Sequence, residues 1–249
     1  MNPKPQIILA LDVPTLKDAK RIVDILYPMV ELFKIGSQLF TASGQEAIKM
    51  VGEKGAKVFL DLKFHDIPNT VYGAVASGTS SSIAVTPIST GSDNIRAEDQ
   101  VQAPVFMMTL HTIGGLEMLK AAVRGASDKA ANLKIKKPYL VGVTVLTSEI
   151  PNSITSETVL KRASLAKDAG LDGVVCAVSE AEMIRKKFGE EFLIVTPGIR
   201  LKGDRKGDQK RVSTVQEAIK AGSDYLVIGR PILQAKDPLI AAQEILKSV

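Results

Sequence analysis

The stretch at residues 61–70, DLKFHDIPNT, concentrates charge directly behind an apolar run. Asp61 and Lys63 are two positions apart, so on a β-strand their side chains point to the same side. Lys34 arrives from the preceding apolar run, which gives an alternating Lys–Asp–Lys row, and Asp66 lies a few residues on in the loop. Such alternation keeps each ion charged at a poorly solvated place, where an isolated ion would neutralise. A fixed array of this kind can stabilise charge that develops during a reaction.

A buried ion-pair network that stabilises the fold is the alternative explanation for this cluster. Ion pairs of that kind are weak devices for stability, and the cluster stands where a predicted strand ends. The charged residues therefore favour a reaction site over a structural network. Other polar or turn-forming residues occupy comparable strand ends: Asp12, Ser148, Pro197, Gly229 and Arg230.

The end of the chain carries a pattern suited to an anion. The segment Ile228-Gly229-Arg230-Pro231 offers backbone N–H groups beside a guanidinium, a combination that suits a phosphate dianion. Phosphate sites near the last two strands recur in barrel enzymes. The loop at residues 198–211 is long, has two internal glycines and includes Gln209. It is predicted to be a lid that closes over the anion, with a solvated loop as the alternative.

Eight short apolar runs alternate with amphipathic segments along the chain. They cover residues 7–12, 32–36, 57–63, 105–110, 139–146, 172–177, 192–197 and 224–229. Most are continuously apolar rather than alternating, as expected for parallel strands covered on both faces. Eight strand–helix units in 249 residues predict one domain, a (β/α)8 TIM barrel spanning residues 1–249, with functional groups at the carboxyl ends of the strands. An open doubly wound sheet is the alternative, but no Gly-x-Gly-x-x-Gly follows the first strand.

One interval departs from this rhythm. Residues 83–104 lie between the third helix, predicted over residues 72–82, and the fourth strand. They are rich in Ser and Thr, contain Pro87, Gly91 and Pro104, and show no helical period. We expect an inserted loop on the amino-terminal face of the barrel, opposite the predicted site.

Composition and charge exclude several classes of protein. The net charge is +5, but Lys and Arg are spread along the chain without a basic arm, which favours an anionic small molecule over a nucleic acid. The one cysteine, Cys176, excludes a disulfide within the chain and fits a reducing compartment. No apolar stretch approaches about 18 residues, and the N-terminus lacks a signal peptide's layout. We therefore expect a soluble, cytoplasmic protein with no membrane association.

Seven short motifs together resemble the orotidine 5′-monophosphate decarboxylases. They are ALD at 10–12, KIG at 34–36, DLKFHDIPNTV at 61–71, TVLTS at 144–148, TPGIR at 196–200, GDQKRV at 207–212 and IGRPI at 228–232. The resemblance runs in order over nearly the whole chain, apart from the predicted insert. The Asp-x-Lys-x-x-Asp pattern alone is shared with related phosphosugar barrels, whereas the combination is highly specific.

By this resemblance, the enzyme makes UMP and CO₂ from orotidine monophosphate with no metal and no organic cofactor. Lys63 would protonate C6 of the pyrimidine, Asp61 would face the substrate carboxylate, and Lys34 and Asp66 would complete the charged array. The other implied substrate contacts are Asp12 and Thr70 with the ribose hydroxyls, Ser148 with the pyrimidine, Gln209, Gly229 and Arg230 with the phosphate, and Pro197 as an apolar wall.

The resemblance also implies a homodimer. In this family the second aspartate of the motif crosses the dimer interface, so Asp66, Ile67 and Thr70 would belong to the partner subunit's site. Two rival functions stay open from the sequence. One is a phosphosugar barrel that needs a divalent cation, such as a 3-keto-6-phosphogulonate decarboxylase or a hexulose-phosphate synthase. The other is a non-catalytic barrel that binds nucleotide or RNA through its basic surface.

Overall fold

The computed structural model describes residues 5–81, 104–146, 155–200 and 213–249. Eight parallel strands close into a barrel in chain order, and the last strand pairs with the first. The strands are β1 (Gln6–Ala10), β2 (Leu32–Gly36), β3 (Lys57–Phe64), β4 (Val105–His111), β5 (Tyr139–Val143), β6 (Gly173–Val175), β7 (Leu193–Thr196) and β8 (Tyr225–Ile228). The predicted (β/α)8 barrel is confirmed. The open-sheet alternative is wrong because β8 and β1 are hydrogen-bonded.

Helices follow the strands around the outside of the barrel. They are α1 (Leu16–Leu26), α2 (Ser37–Ser43), α3 (Gln45–Gly52), α4 (Pro68–Ser80), α5 (Gly115–Leu133), α6 (Ser156–Asp168), α7 (Val178–Phe188), α8 (Val215–Lys220), α9 (Arg230–Leu233) and α10 (Pro238–Lys247). Thr15 caps α1, because its hydroxyl accepts a hydrogen bond from the backbone N–H of Asp18. Gly170 and Gly222 follow α6 and α8 with φ of 85° and 87°, a conformation that glycine adopts without strain.

The interior of the barrel is filled by a compact apolar layer. Its buried members are Ile8, Ala10, Leu32, Phe59, Met107, Val141, Val195, Tyr225 and Val227. A larger apolar cluster packs between the outer face of the strands and the helices. Because side chains fill the lumen in this way, the groups at the carboxyl ends of the strands lie above a packed apolar layer. Among the described residues, no helix is long and apolar enough to cross a membrane.

The predicted insert falls almost wholly outside the described residues. Helix α4 runs from Pro68 to Ser80, so it begins earlier than the sequence pattern predicted, with proline in its first turn. The chain is described again from Pro104, whose carbonyl accepts a hydrogen bond of 2.6 Å from the N–H of Val58. Val58 lies near the start of β3, so Pro104 stands at the amino-terminal side of the barrel. The conformation expected for the insert itself stays a prediction.

Candidate active site

Strand β3 bulges where its charged residues stand. Leu60 pairs with Met108 and Phe64 with Leu110, so four steps along β3 match two steps along β4. Lys63 has φ of 50°, a left-handed conformation that is uncommon for a residue other than glycine. A bulge of this kind redirects side chains and recurs beside active sites. The regular two-residue alternation assumed from the sequence is therefore wrong at Lys63, although the side chain still reaches Asp61.

Four charged side chains form a continuous row at the carboxyl ends of β1, β2 and β3. The Lys63 Nζ lies 2.8 Å from Asp61 Oδ1, and the Lys34 Nζ lies 3.5 Å from Asp61 Oδ2. Lys34 Nζ also donates to Asp12 Oδ1 at 3.0 Å. The row predicted from Lys34, Asp61 and Lys63 is thus present, and Asp12 extends it by a fourth member.

Gly36 makes room for the Lys34 ammonium. In the β2–β3 register Lys34 lies opposite Phe59 and Gly36 lies opposite Asp61, so the lysine side chain must extend past Gly36 to reach the carboxylate. A Cβ at position 36 would lie only 2.9 Å from Lys34 Nζ. The glycine in the KIG motif therefore leaves space for the ammonium, and a side chain at position 36 would displace it.

Mutual attraction keeps the buried ions of this row charged. The side chains of Lys34 and Asp61 are only 11% and 12% exposed. Burial alone would raise the pKa of Asp61, but Lys34, Lys63 and hydrogen bonds from Lys63 and Thr109 bring that pKa below its ordinary value. Burial alone would lower the pKa of Lys34, but Asp61 and Asp12 bring that pKa above its ordinary value. Both groups are therefore ionised at neutral pH.

A cavity of about 600 Å³ opens above the charged row. That volume is in the range of small-molecule sites. Charged residues of the row form one side, and Gly229 and Arg230 lie at the end of β8, next to β1. Apolar groups and one further arginine also line it, among them Val143, Val145, Leu146, Val175, Cys176, Pro197 and Arg200. The cavity therefore combines a cationic and anionic side with an apolar wall and two guanidinium groups.

Three site residues implied by the resemblance do not line the cavity of their own chain. Asp66, Ile67 and Thr70 are all exposed at the start of α4, and Ile67 is 66% exposed. The Asp66 carboxylate accepts a hydrogen bond of 2.6 Å from the N–H of Ile67. The prediction that these residues serve a partner subunit is not tested by a single chain, and it stays a prediction.

Two other predicted contacts, Ser148 and Gln209, lie outside the described residues. The same holds for most of the predicted lid, of which residues 198–200 are described. The base of that loop is closed, because Arg200 N–H donates to the carbonyl of Ser213 at 2.9 Å. The two described residues that flank the rest of this loop, Arg200 and Ser213, are therefore hydrogen-bonded to each other.

The sequence patterns did not single out Arg200 and Thr109 as polar residues of the site. Arg200 is 8% exposed and lines the cavity; its place just after Pro197-Gly198 was the available signal. Thr109 is 1% exposed and contacts Asp61; it is a polar residue within the apolar run of β4. Cys176 is a buried thiol whose pKa is raised well above its ordinary value by burial and by Glu180. It behaves as a small buried apolar residue and not as a nucleophile.

A closed eight-stranded barrel with a charged cavity at the carboxyl ends of its strands places this chain among the (β/α)8 enzymes. The chain belongs to the orotidine 5′-phosphate decarboxylase / HUMPS family, which it matches over residues 5–245.

Relatives extend along the whole chain. It is 43% identical to the orotidine 5′-phosphate decarboxylase of Moorella thermoacetica, over 98% of this chain and 92% of that protein. It is also 43% identical to the orotidine 5′-phosphate decarboxylase of Coxiella burnetii, over 100% of this chain and 98% of that protein. Among solved structures it resembles orotidine 5′-phosphate decarboxylase from Lactobacillus acidophilus, with a TM-score of 0.77, 32% identity and 98% of each chain covered.

Proposed function

We propose that this protein is an orotidine 5′-phosphate decarboxylase, which converts orotidine 5′-monophosphate to UMP and CO₂ in pyrimidine biosynthesis. The observation that carries the proposal is the row of Asp12, Lys34, Asp61 and Lys63 at the cavity. Family membership alone does not decide the activity, because the family description names both orotidine 5′-phosphate decarboxylase and HUMPS. The full-length relatives at 43% identity support the decarboxylase.

Lys63 is the proposed proton donor. When the bond between C6 and the carboxylate breaks, CO₂ leaves and the electron pair stays on C6, with no adjacent electron sink. A fixed ammonium stabilises that charge and then gives its proton to C6, which forms the C–H bond of UMP. Lys63 is accessible to a substrate, because its side chain is 34% exposed and lines the cavity. The neutral amine then regains a proton from solvent.

Asp61 is the proposed neighbour of the substrate carboxylate. It is held in its charged form by Lys34 and Lys63. Two carboxylates placed together repel each other, and this repulsion disappears as the substrate carboxylate becomes CO₂. Asp61 would therefore destabilise the bound substrate more than the transition state, which is one route to a faster reaction.

The remaining substrate contacts follow the layout of the cavity. Asp12, 56% exposed, is available for the ribose hydroxyls, and Pro197 offers an apolar wall. Gly229 and Arg230 lie at the edge where a phosphate would be bound, and Gln209 and Ser148 are proposed to contact the phosphate and the pyrimidine. The phosphate is remote from the bond that breaks, so its binding energy acts through positioning.

The same proposal includes a homodimer in the cytoplasm. Ile67 and Ile113 are exposed large apolar side chains, 66% and 54% exposed, at the carboxyl-terminal side of β3 and β4. A second subunit packed there would cover them, and Asp66 and Thr70 stand on the same side of the barrel. This supports the proposed contribution of Asp66, Ile67 and Thr70 to the neighbouring site.

The direct test is loss of orotidine monophosphate absorbance on addition of the purified protein. We expect complete conversion to UMP, at an unchanged rate in excess chelator, because no metal takes part in the proposed steps. A phosphosugar lyase of the same family would leave orotidine monophosphate unchanged and would lose its activity in chelator. No turnover of orotidine monophosphate by folded protein would overturn the proposal.

Arg230→Ala is expected to lower kcat/KM for orotidine monophosphate about 10- to 150-fold, since a hydrogen bond to a charged group contributes about 1.5–3 kcal/mol. The loss arises because the phosphate loses its guanidinium partner. The matched control is Arg124→Ala, which removes an exposed arginine on α5 and should leave kcat/KM unchanged.

Orotidine, which lacks the phosphate, decides the role of Arg230. Wild type and Arg230→Ala should process orotidine at the same low rate. A variant that loses as much activity on orotidine as on the phosphorylated substrate would contradict a phosphate contact.

A further inference from the structure

Thr109 joins the two central members of the charged row. It lies on β4 with 1% of its surface exposed. Its Oγ1 accepts a hydrogen bond of 2.8 Å from the backbone N–H of Lys63 and donates one of 3.0 Å to Asp61 Oδ1. The directions are fixed, because an amide N–H can only donate and an ionised carboxylate can only accept. The single hydroxyl proton of Thr109 is therefore committed to Asp61.

These contacts close a ring that begins and ends on Lys63. The Lys63 backbone N–H binds Thr109, the Thr109 hydroxyl binds Asp61 Oδ1, and the same Oδ1 accepts from Lys63 Nζ at 2.8 Å. The lysine is thus held at both its backbone and its ammonium. The position of the ammonium is set by two strands together.

The bulge in β3 explains why a side chain is needed here. Between Leu60 and Phe64 the regular β3–β4 register is interrupted, and Lys63 has a left-handed backbone. That conformation is unfavourable for a non-glycine residue and persists only where its surroundings hold it. Thr109 Oγ1 accepts the Lys63 N–H there, and so it supports the strained residue directly.

We propose that Thr109 is a positioning residue for the decarboxylation: its hydroxyl fixes the Lys63 backbone and the Asp61 carboxylate relative to each other, so that the Lys63 ammonium faces the substrate carbon. This inference rests on the proposed function. Thr109 does not line the cavity, and it acts on the reaction only through Asp61 and Lys63.

The test compares one substitution that removes the hydroxyl with one that keeps it. Thr109→Val keeps the shape of the side chain and removes the hydroxyl, whereas Thr109→Ser keeps the hydroxyl. We expect Thr109→Val to lower kcat for orotidine monophosphate about 10- to 100-fold, with KM changed less than about threefold, because a misplaced catalytic group loses rate in this range. Thr109→Ser should stay within about threefold of wild type.

A control separates positioning from general damage to the core. Thr196 is a buried threonine on β7 whose hydroxyl donates to Ser223 Oγ at 3.1 Å, away from the charged row. Thr196→Val removes a buried hydroxyl in the same way and should leave kcat close to the wild-type value. If Thr109→Val does not fold, Thr109→Ala takes its place in the comparison.

The pH profile of kcat adds a signature that a purely structural role would not give. Asp61 is faced by Lys34 from β2, Lys63 from β3 and Thr109 from β4, with Asp12 beyond Lys34. Without the hydroxyl donor the carboxylate binds a proton more readily, so the acid limb of the profile should move to higher pH in Thr109→Val and not in Thr109→Ser.

Each outcome decides a separate question. A wild-type protein without decarboxylase activity overturns the proposed function. An active wild type with an unaffected Thr109→Val, or with Thr109→Ser as impaired as Thr109→Val, overturns the positioning role alone.

Discussion

Substitution of Lys63 by alanine is expected to lower the decarboxylation rate at least about 10⁴-fold while the protein stays folded. A general acid contributes about 10²- to 10⁴-fold and a fixed electrostatic stabiliser about 10²- to 10³-fold, and Lys63 is proposed to supply both. The fold should survive because Asp61 keeps its contacts with Lys34 and Thr109. Turnover measured by absorbance, beside the thermal unfolding midpoint, checks both parts.

Lys63→Arg is the matched variant for this prediction. It preserves the positive charge, but a guanidinium does not release its proton in proteins. We expect Lys63→Arg to remain severely impaired, which would separate proton transfer from charge alone. Near-normal turnover in Lys63→Ala would remove Lys63 from the mechanism, and near-normal turnover in Lys63→Arg would leave it an electrostatic role only.

Lys34→Met is expected to lower the free energy of unfolding by about 3–5 kcal/mol at neutral pH, the usual cost of breaking a buried ion pair from one side. Lys34 is the one residue of the row that contacts two carboxylates, Asp12 at 3.0 Å and Asp61 at 3.5 Å. Its removal leaves Asp61 buried with Lys63 as the remaining cation of the row. Denaturant unfolding of both proteins measures the difference, and decarboxylation should fall with it.

The loss in free energy of unfolding caused by Lys34→Met should depend on pH. The pKa of Lys34 is raised above its ordinary value of 10.5, so its stabilising contribution is complete below 10.5 and is lost as pH rises through the higher folded value. The pKa of Asp61 is lowered below its ordinary value of 3.8, so its contribution is complete above 3.8 and is lost as pH falls through the lower folded value. The deficit of Lys34→Met should therefore be largest between these limits and shrink below pH 3.8.

An exposed ion pair gives the control for Lys34. Lys20 Nζ lies 2.6 Å from Asp24 Oδ2 on the surface of α1, with its side chain 55% exposed. Exposed pairs contribute little because water screens them and both side chains lose freedom. The free energy of unfolding of Lys20→Met should thus be close to that of wild type at every pH. A Lys34→Met protein as stable as Lys20→Met would mean that the row does not stabilise the fold.

The fold was predictable because the strand signal repeats. Parallel strands covered on both faces read as apolar runs, and all eight predicted runs overlap an observed strand. The predicted boundaries were less accurate: α4 begins at Pro68, before the expected helix, and β5 ends at Val143, before Leu146. Sequence patterns predict that a helix or strand exists more accurately than they predict the residue at which it ends.

The site was predictable where strand ends supply it and less so where tertiary contacts do. Asp12, Lys34, Asp61 and Lys63 follow from their places at the ends of β1 to β3. The bulge at Lys63 could not be predicted, because it depends on how β4 pairs with β3. Thr109 went unnoticed for the same reason: a threonine within an apolar strand is ordinary until a partner is seen beside it.

The bulge in β3 also bears on how such a barrel can change over evolutionary time. The pairing with β4 stops at Leu60 and resumes at Phe64, so the register between β3 and β4 does not use the residues between them. Asp61 and Lys63 lie in that gap. A descendant of this chain could therefore exchange the chemistry carried by these positions, or lose it, while its sheet remained closed. One fold can therefore support different activities when substitutions occur at a few positions and the barrel is kept.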